Sequence, residues 1–191
     1  MKRILMFFFM LSVGQVVSAA GRLACSPDFR PVIQDAVAVN EPGQPGLVFV
    51  GMHSPDQRTA YFLNLQGGWD AYQGGLYQPA ARYDAGLPSS YPLTRYLPGT
   101  PSYTSAAFQG WTIYLGYGVL TPKAQGMVKT RRDALNQLRP ERVAQGKWNP
   151  EYDSDDRFKL SLIQKDLMDN QKYVKSMVIP YLDCSPPDHG K

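Results

Sequence analysis

The apolar positions of this 191-residue chain change rhythm twice. Behind Lys2 and Arg3, residues 4–13 form an apolar run broken only by Ser12. Gly14, Gln15 and Arg22 keep it short of the about 20 apolar residues that a membrane helix needs. The small residues Val17-Ser18-Ala19-Ala20 follow it. A positive start, an apolar stretch and a small-residue site together predict a secretory signal peptide, cleaved near residues 19–20. From residue 21 to 122, short apolar and aromatic stretches alternate with polar positions between Gly and Pro breakers, which reads as strands and turns. From residue 123 onward, apolar residues fall at spacings of three and four among charges, which reads as helix.

The strand pattern covers residues 32–39, 47–52, 59–65, 69–72 and 111–119. Gly67-Gly68 predicts a two-residue primed turn joining 59–65 to 69–72 as a hairpin. Residues 88–101 hold four prolines, so they fit an edge strand or an ordered loop. In the last strand, Trp111, Ile113 and Leu115 share one face by period two. Gly116 and Gly118 in the same strand imply a bulge or a close backbone approach.

Thr121-Pro122 is a helix entry, with Thr as N-cap and Pro at the first helical position. A narrow stripe from Ala124 to Leu138 follows, and Pro140 is expected to interrupt it. Residues 140–144 then form a short second turn ending at Gly146. Asp153 or Ser154 caps a longer helix, with Asp155 and Asp156 at its positive end. Phe158, Leu162, Leu167, Val174 and Met177 lie near one face of that helix, and Pro180 stops it. The expected class is α+β: an antiparallel β-sheet or small β-sandwich followed by C-terminal helices. Its parts are a signal peptide (1–20), a β-rich domain (21–122) and a helical C-terminal segment (123–191) packed on it.

Composition sharpens the division near residue 122. Residues 21–122 contain no lysine, five Arg and six acids, and nine of the twelve Tyr. Residues 123–191 carry thirteen basic and ten acidic side chains. The formal charge is +4, two of it from Lys2 and Arg3, too weak a bias for a nucleic-acid binder. Two Cys and two His exclude a zinc cluster or an iron–sulfur site by count. The expectation is no cofactor, no metal and no nucleic-acid partner.

Cys25 and Cys184 stand near the two ends of the exported chain. An oxidising compartment favours closing a lone pair into a disulfide. Leu23-Ala24-Cys25 has the outline of a lipidation site, but Arg22 occupies the place an aliphatic residue should hold. A soluble periplasmic or secreted product is therefore expected.

The run Thr59-Ala60-Tyr61-Phe62-Leu63-Asn64-Leu65-Gln66-Gly67-Gly68-Trp69 precedes Gly110-Trp111-Thr112-Ile113-Tyr114-Leu115-Gly116-Tyr117-Gly118 by about forty residues. Together they resemble a small β-rich module of exported proteobacterial proteins, in which a strand, a glycine turn and a Trp precede a Tyr-Val-Gly-Tyr-Gly strand. The resemblance spans residues 47–119. It implies a sandwich-like, non-catalytic extracytoplasmic module, often of unassigned function, and carries no functional residues over. The charged helical segment after Gly118 departs from it.

Several residues carry candidate chemistry. His53, Ser54 and Asp56 are the residue types of a hydrolytic triad, although closeness in sequence is not triad geometry. No Gly-x-Ser-x-Gly elbow accompanies them. His189 lies in the tail. Asp56, Asp70 and Asp84 could pair for glycan hydrolysis, but Asp70 directly after Trp69 reads better as a turn residue. The rings of Trp69, Tyr72, Tyr77 and Tyr83 interleave with Gly, Pro and polar residues, as in sugar-stacking or protein-contact surfaces. Arg131 and Arg132, with Lys129, Arg139 and Arg142, make a basic helix suited to an acidic partner or an anionic membrane surface. The expectation is a non-enzymatic binding or assembly module, an accessory component of an envelope or secretion machine, with another envelope protein as partner. The alternative is a glycan-binding protein, or an envelope glycan- or peptidoglycan-acting enzyme using Asp70, Asp56 or His53.

Overall fold

A computed structural model describes residues 21–99 and 101–187. The signal-peptide stretch and His189 lie outside the described residues. The strands are β1 (Arg22–Cys25), β2 (Pro31–Ala38), β3 (Gly46–His53), β4 (Ala60–Leu63), β5 (Trp69–Ala71), β6 (Ala81–Tyr83), β7 (Ser90–Tyr96), β8 (Thr112–Val119) and β9 (Tyr173–Val178). The helices are α1 (Pro122–Ala144), α2 (Pro150–Asp153) and α3 (Asp155–Asp169). The fold is α+β with wholly antiparallel sheets.

Three layers result. A three-stranded sheet in the order β1-β2-β7 faces a larger sheet in the order β5-β4-β3-β8-β9, with β6 also paired to β3. Helices α1 and α3 cover part of the larger sheet's other face. Period-two alternation explains this double burial. In β3, Val48, Val50 and Met52 enter the inter-sheet core, while Leu47 and Phe49 meet the helices. In β8, Ile113, Leu115, Tyr117 and Val119 enter the inter-sheet core, with Trp111 packed against it. Gly116 and Gly118 alternate with them and face α3.

Those glycines are the close approach expected from the sequence. A Cβ at Gly116 would lie 2.7 Å from the Lys172 carbonyl oxygen, and one at Gly118 would overlap the carbonyl of Ile163. The helix therefore rests directly on the β8 backbone. A register shift between Ile113 and Tyr114 adds a bulge to the β8–β9 pair. Proline-rich β7 is indeed an edge strand, with Pro92 opposite Ala36.

Three local expectations change. The β4–β5 hairpin forms, but Leu63 pairs with Trp69 across a five-residue loop instead of a two-residue turn. Only Gly67 of its two glycines has a positive φ, and the Asn64 side chain accepts the N–H groups of Gln66 and Gly68. Pro140 does not interrupt α1, because its turn is exposed and solvent can take the carbonyl it leaves unbonded. The helix ends at Gly146 (φ 66), where Gly146 N–H bonds Val143 and Lys147 N–H bonds Arg142.

The third change is larger. The helix expected up to Pro180 stops at Asp169, and Val174 and Met177 belong to β9. Gln171 takes a positive φ of 50 and closes the helix with the same pair of bonds, Gln171 to Met168 and Lys172 to Leu167. Cys25 and Cys184 form the expected disulfide, but hydrogen bonds also hold this end. The fully buried Ser105 donates its hydroxyl to the Pro180 carbonyl and receives Leu182 N–H, and Thr104 bridges Asp183. Helix docking rests on the packing of Ile163 and Leu167, and does not need the bridge.

Candidate binding site: an aromatic cleft beside the helix

Helix α3 covers the larger sheet only as far as Gly116, and β3 and β8 run on beyond it. The uncovered face has one lateral row of Phe62, Gly51 and Tyr114 on β4, β3 and β8. Gly51 leaves room there: a Cβ at this position would lie 2.8 Å from the Phe62 ring. Phe62 leans over β3, and Tyr77 from the β5–β6 loop stacks on it at 4.6 Å with planes 13° apart. Tyr72 meets both rings edge-on, at 5.4 Å and 5.5 Å. On the opposite side, His53 stacks on Tyr114 at 4.8 Å. Met168 and Leu167 at the end of α3, with Tyr173 at the start of β9, close the third side. The result is a cleft of about 340 Å³.

The same lateral row ends in Asp70 on β5 and Lys175 on β9, outside the cleft. Among the described residues, no Asp, Glu, Lys or Arg lines the cleft. Burial pushes the Tyr77 hydroxyl above its ordinary pKa, with Tyr72 and Tyr173 adding to the effect, so it stays a phenol at neutral pH. The Tyr72 hydroxyl donates to the Gly75 carbonyl at 2.9 Å. The hydroxyls of Tyr77, Tyr114 and Tyr173 have no such partner among the described residues. The Tyr77 backbone N–H donates to Gln164 of α3 at 2.7 Å, anchoring the loop that carries the stack.

Of the residues singled out in the sequence, Tyr77 lines this cleft and Tyr72 backs it, packed edge-on against Tyr77 and Phe62. Trp69 and Tyr83 pack on the inter-sheet core instead, and Trp69 Nε1 donates to the Tyr96 carbonyl at 2.8 Å. Arg131 donates to the carbonyls of Tyr152 and Ser154, and its guanidinium lies 5.0 Å from the centre of the Phe158 ring in α3. Arg132 pairs with Asp155. These two arginines join α1 to the start of α3. Strand alternation could have paired Gly51 with its aromatic neighbours, but only after the order β4-β3-β8-β9 was known. His53, Phe62, Tyr114 and Tyr173 therefore escaped the sequence reading as cleft residues.

The triad types do not assemble. His53 Nδ1 lies 3.3 Å from the Ser54 carbonyl, while the Ser54 hydroxyl donates to Asp56 at 2.6 Å and accepts Thr59 N–H. That hydroxyl bond holds Asp56 below the usual carboxylate range. Asp70 accepts from Asn64, and Asp84 pairs with Arg82. Each is engaged in a local contact. Among the described residues, no group of three or more His, Cys, Asp or Glu gathers to hold a metal.

A larger groove of about 1190 Å³ lies between the loop before β6 and helices α1 and α3. Six of the eight charged side chains along it are ion-paired, Arg82 with Asp84 and Asp156, Lys129 with Asp133, and Arg132 with Asp155, and Arg157 lies over the Tyr152 ring. Among the described residues, no helix is long and apolar enough to cross a membrane. The chain matches no protein-family model, no curated protein and no solved structure.

Proposed function

We propose that this chain is a non-enzymatic binding or assembly module of the periplasm or extracellular space. It serves as an accessory component of an envelope or secretion machine and contacts another envelope protein through the aromatic cleft. The observation that carries the reading is the uncovered half of the larger sheet, where stacked rings and phenol hydroxyls without described partners surround an uncharged cleft. Exposed aromatic clusters with polar handles are characteristic of contact surfaces. The Cys25–Cys184 bridge fits an oxidising compartment.

An aliphatic diazirine residue in place of Met168, which lines the cleft and is exposed at its rim, tests it in envelope preparations. The expected result is discrete adducts with envelope-machine components, absent when the crosslinker sits at the exposed Thr130 of α1. Adducts from Thr130 alone, or retention of glycan without any protein adduct, would overturn the reading.

A further inference from the structure

We propose that the cleft is a socket for one uncharged aromatic side chain of the partner polypeptide. The inference rests on the binding role above and specifies what enters. Size is the first argument: about 340 Å³ is at the small end of the about 300–1,000 Å³ range of ligand clefts. One ring and its adjoining backbone fill it. Charge is the second. An ionised group would shed its water among walls that offer no opposite charge.

Shape is the third. The Phe62–Tyr77 stack and the His53–Tyr114 stack stand on opposite sides, so an entering ring meets aromatic walls in offset or edge-on contact. The hydroxyls of Tyr77, Tyr114 and Tyr173 can take an indole N–H, a phenol or a backbone amide. A hydroxyl-rich sugar would need more polar partners than this lining holds, where Gln57 is the one amide side chain. The mouth is the fourth argument. Met168 and Tyr173 remain 42% and 39% exposed around it. Covering them needs the chain that flanks an anchor residue, as in interfaces where a ring of contacts excludes water from a central side chain. The flexible Met168 adapts that rim to its occupant.

The test is NMR titration of the processed protein with N-acetyl-L-tryptophanamide, against its carboxylate analogue N-acetyl-L-tryptophan and against N,N′-diacetylchitobiose. The expected result is saturable shifts of the Met168 methyl and the Gly51 and Gly116 amides with the amide. The carboxylate should bind at least fivefold more weakly, and the sugar should leave these signals unmoved. Ala60→Trp fills the cleft and Tyr77→Ala removes the outer ring. Each should weaken binding at least tenfold, while Lys159→Ala in the charged groove changes nothing. Unmoved cleft signals, tighter binding of the sugar or the carboxylate, or full binding by a folded Ala60→Trp protein would overturn the proposal. If the amide fails to bind but crosslinks from position 168 persist, the socket falls and the assembly role stands. If the amide binds and no envelope adduct forms, the assembly role falls instead.

Discussion

Asp166 of α3 accepts the backbone N–H of Val119 at 2.8 Å. The same carboxylate holds the Lys172 ammonium at 2.8 Å and the Asn170 side chain at 2.8 Å. Lys172 also meets Glu41 and lies 5.6 Å from the Tyr117 ring. A helix, a strand end and the β2–β3 loop thus converge on one largely buried ion pair. Burial alone would lower the Lys172 pKa, but Asp166 and Glu41 outweigh it and raise the net value. Burial raises that of Tyr117.

Both shifts have one sign. The folded state keeps these protons to higher pH than the unfolded chain does. Stability from them is full below pH about 10, near their unfolded pKa values, and falls as pH climbs through the folded ones. Melting temperature should therefore drop more steeply above pH 10 in the natural protein than in Lys172→Met. At pH 7 that variant should lose about 3 kcal/mol, because Asp166 stays buried without its cation. Parallel alkaline profiles in the two proteins would contradict the assignment.

Gly118 and Gly126 should respond to alanine with opposite signs. A Cβ at Gly118 overlaps the Ile163 carbonyl, whereas at Gly126 in α1 nothing lies within 4 Å. Gly118→Ala should cost about 1–3 kcal/mol through forced separation of α3 and β8. Gly126→Ala should stabilise by about 0.5–1 kcal/mol through helix propensity. Denaturant midpoints of the two variants decide this directly.

Trp69 and Trp111 both pack on the inter-sheet core. Trp111 touches Phe108 and Tyr61, at 5.2 Å and 5.7 Å between ring centres. Alanine at either position should cost about 3 kcal/mol and leave binding at the cleft unchanged. A Trp69→Ala protein of full stability that binds its partner more weakly would move Trp69 to the contact surface.

Reduction of Cys25–Cys184 frees the ends of a chain separated by 159 positions. Chain entropy sets the loss at about 2–5 kcal/mol. Because α3 is held by its own packing, hydrogen exchange should quicken first in β1 and around residues 180–184. Faster exchange in α3 before β1 would contradict that order.

Much of this architecture was legible in the sequence. Period two in Trp111, Ile113 and Leu115 marked the buried face of β8, and Gly116 and Gly118 announced the close approach. Thr121-Pro122 marked the start of α1, where the Thr121 hydroxyl accepts Ala124 N–H. β9 was hidden because the helix before it ends on Gln171, a residue that seldom adopts a positive φ. With no glycine to mark the stop, Val174 and Met177 continued a helical spacing by coincidence. The cleft was half legible. Tyr72 and Tyr77 stood out as loop aromatics, but their partners Phe62, His53 and Tyr114 come together only through strand order, which no local pattern encodes.

The most direct measurement is the crosslinking yield to envelope proteins from the diazirine at position 168, compared between the otherwise natural cleft and the same protein carrying Tyr77→Ala. The account predicts strong adducts in the first and at least a tenfold loss in the second, with an unchanged fold by circular dichroism. Equal yields from both folded proteins would contradict a binding role for the cleft.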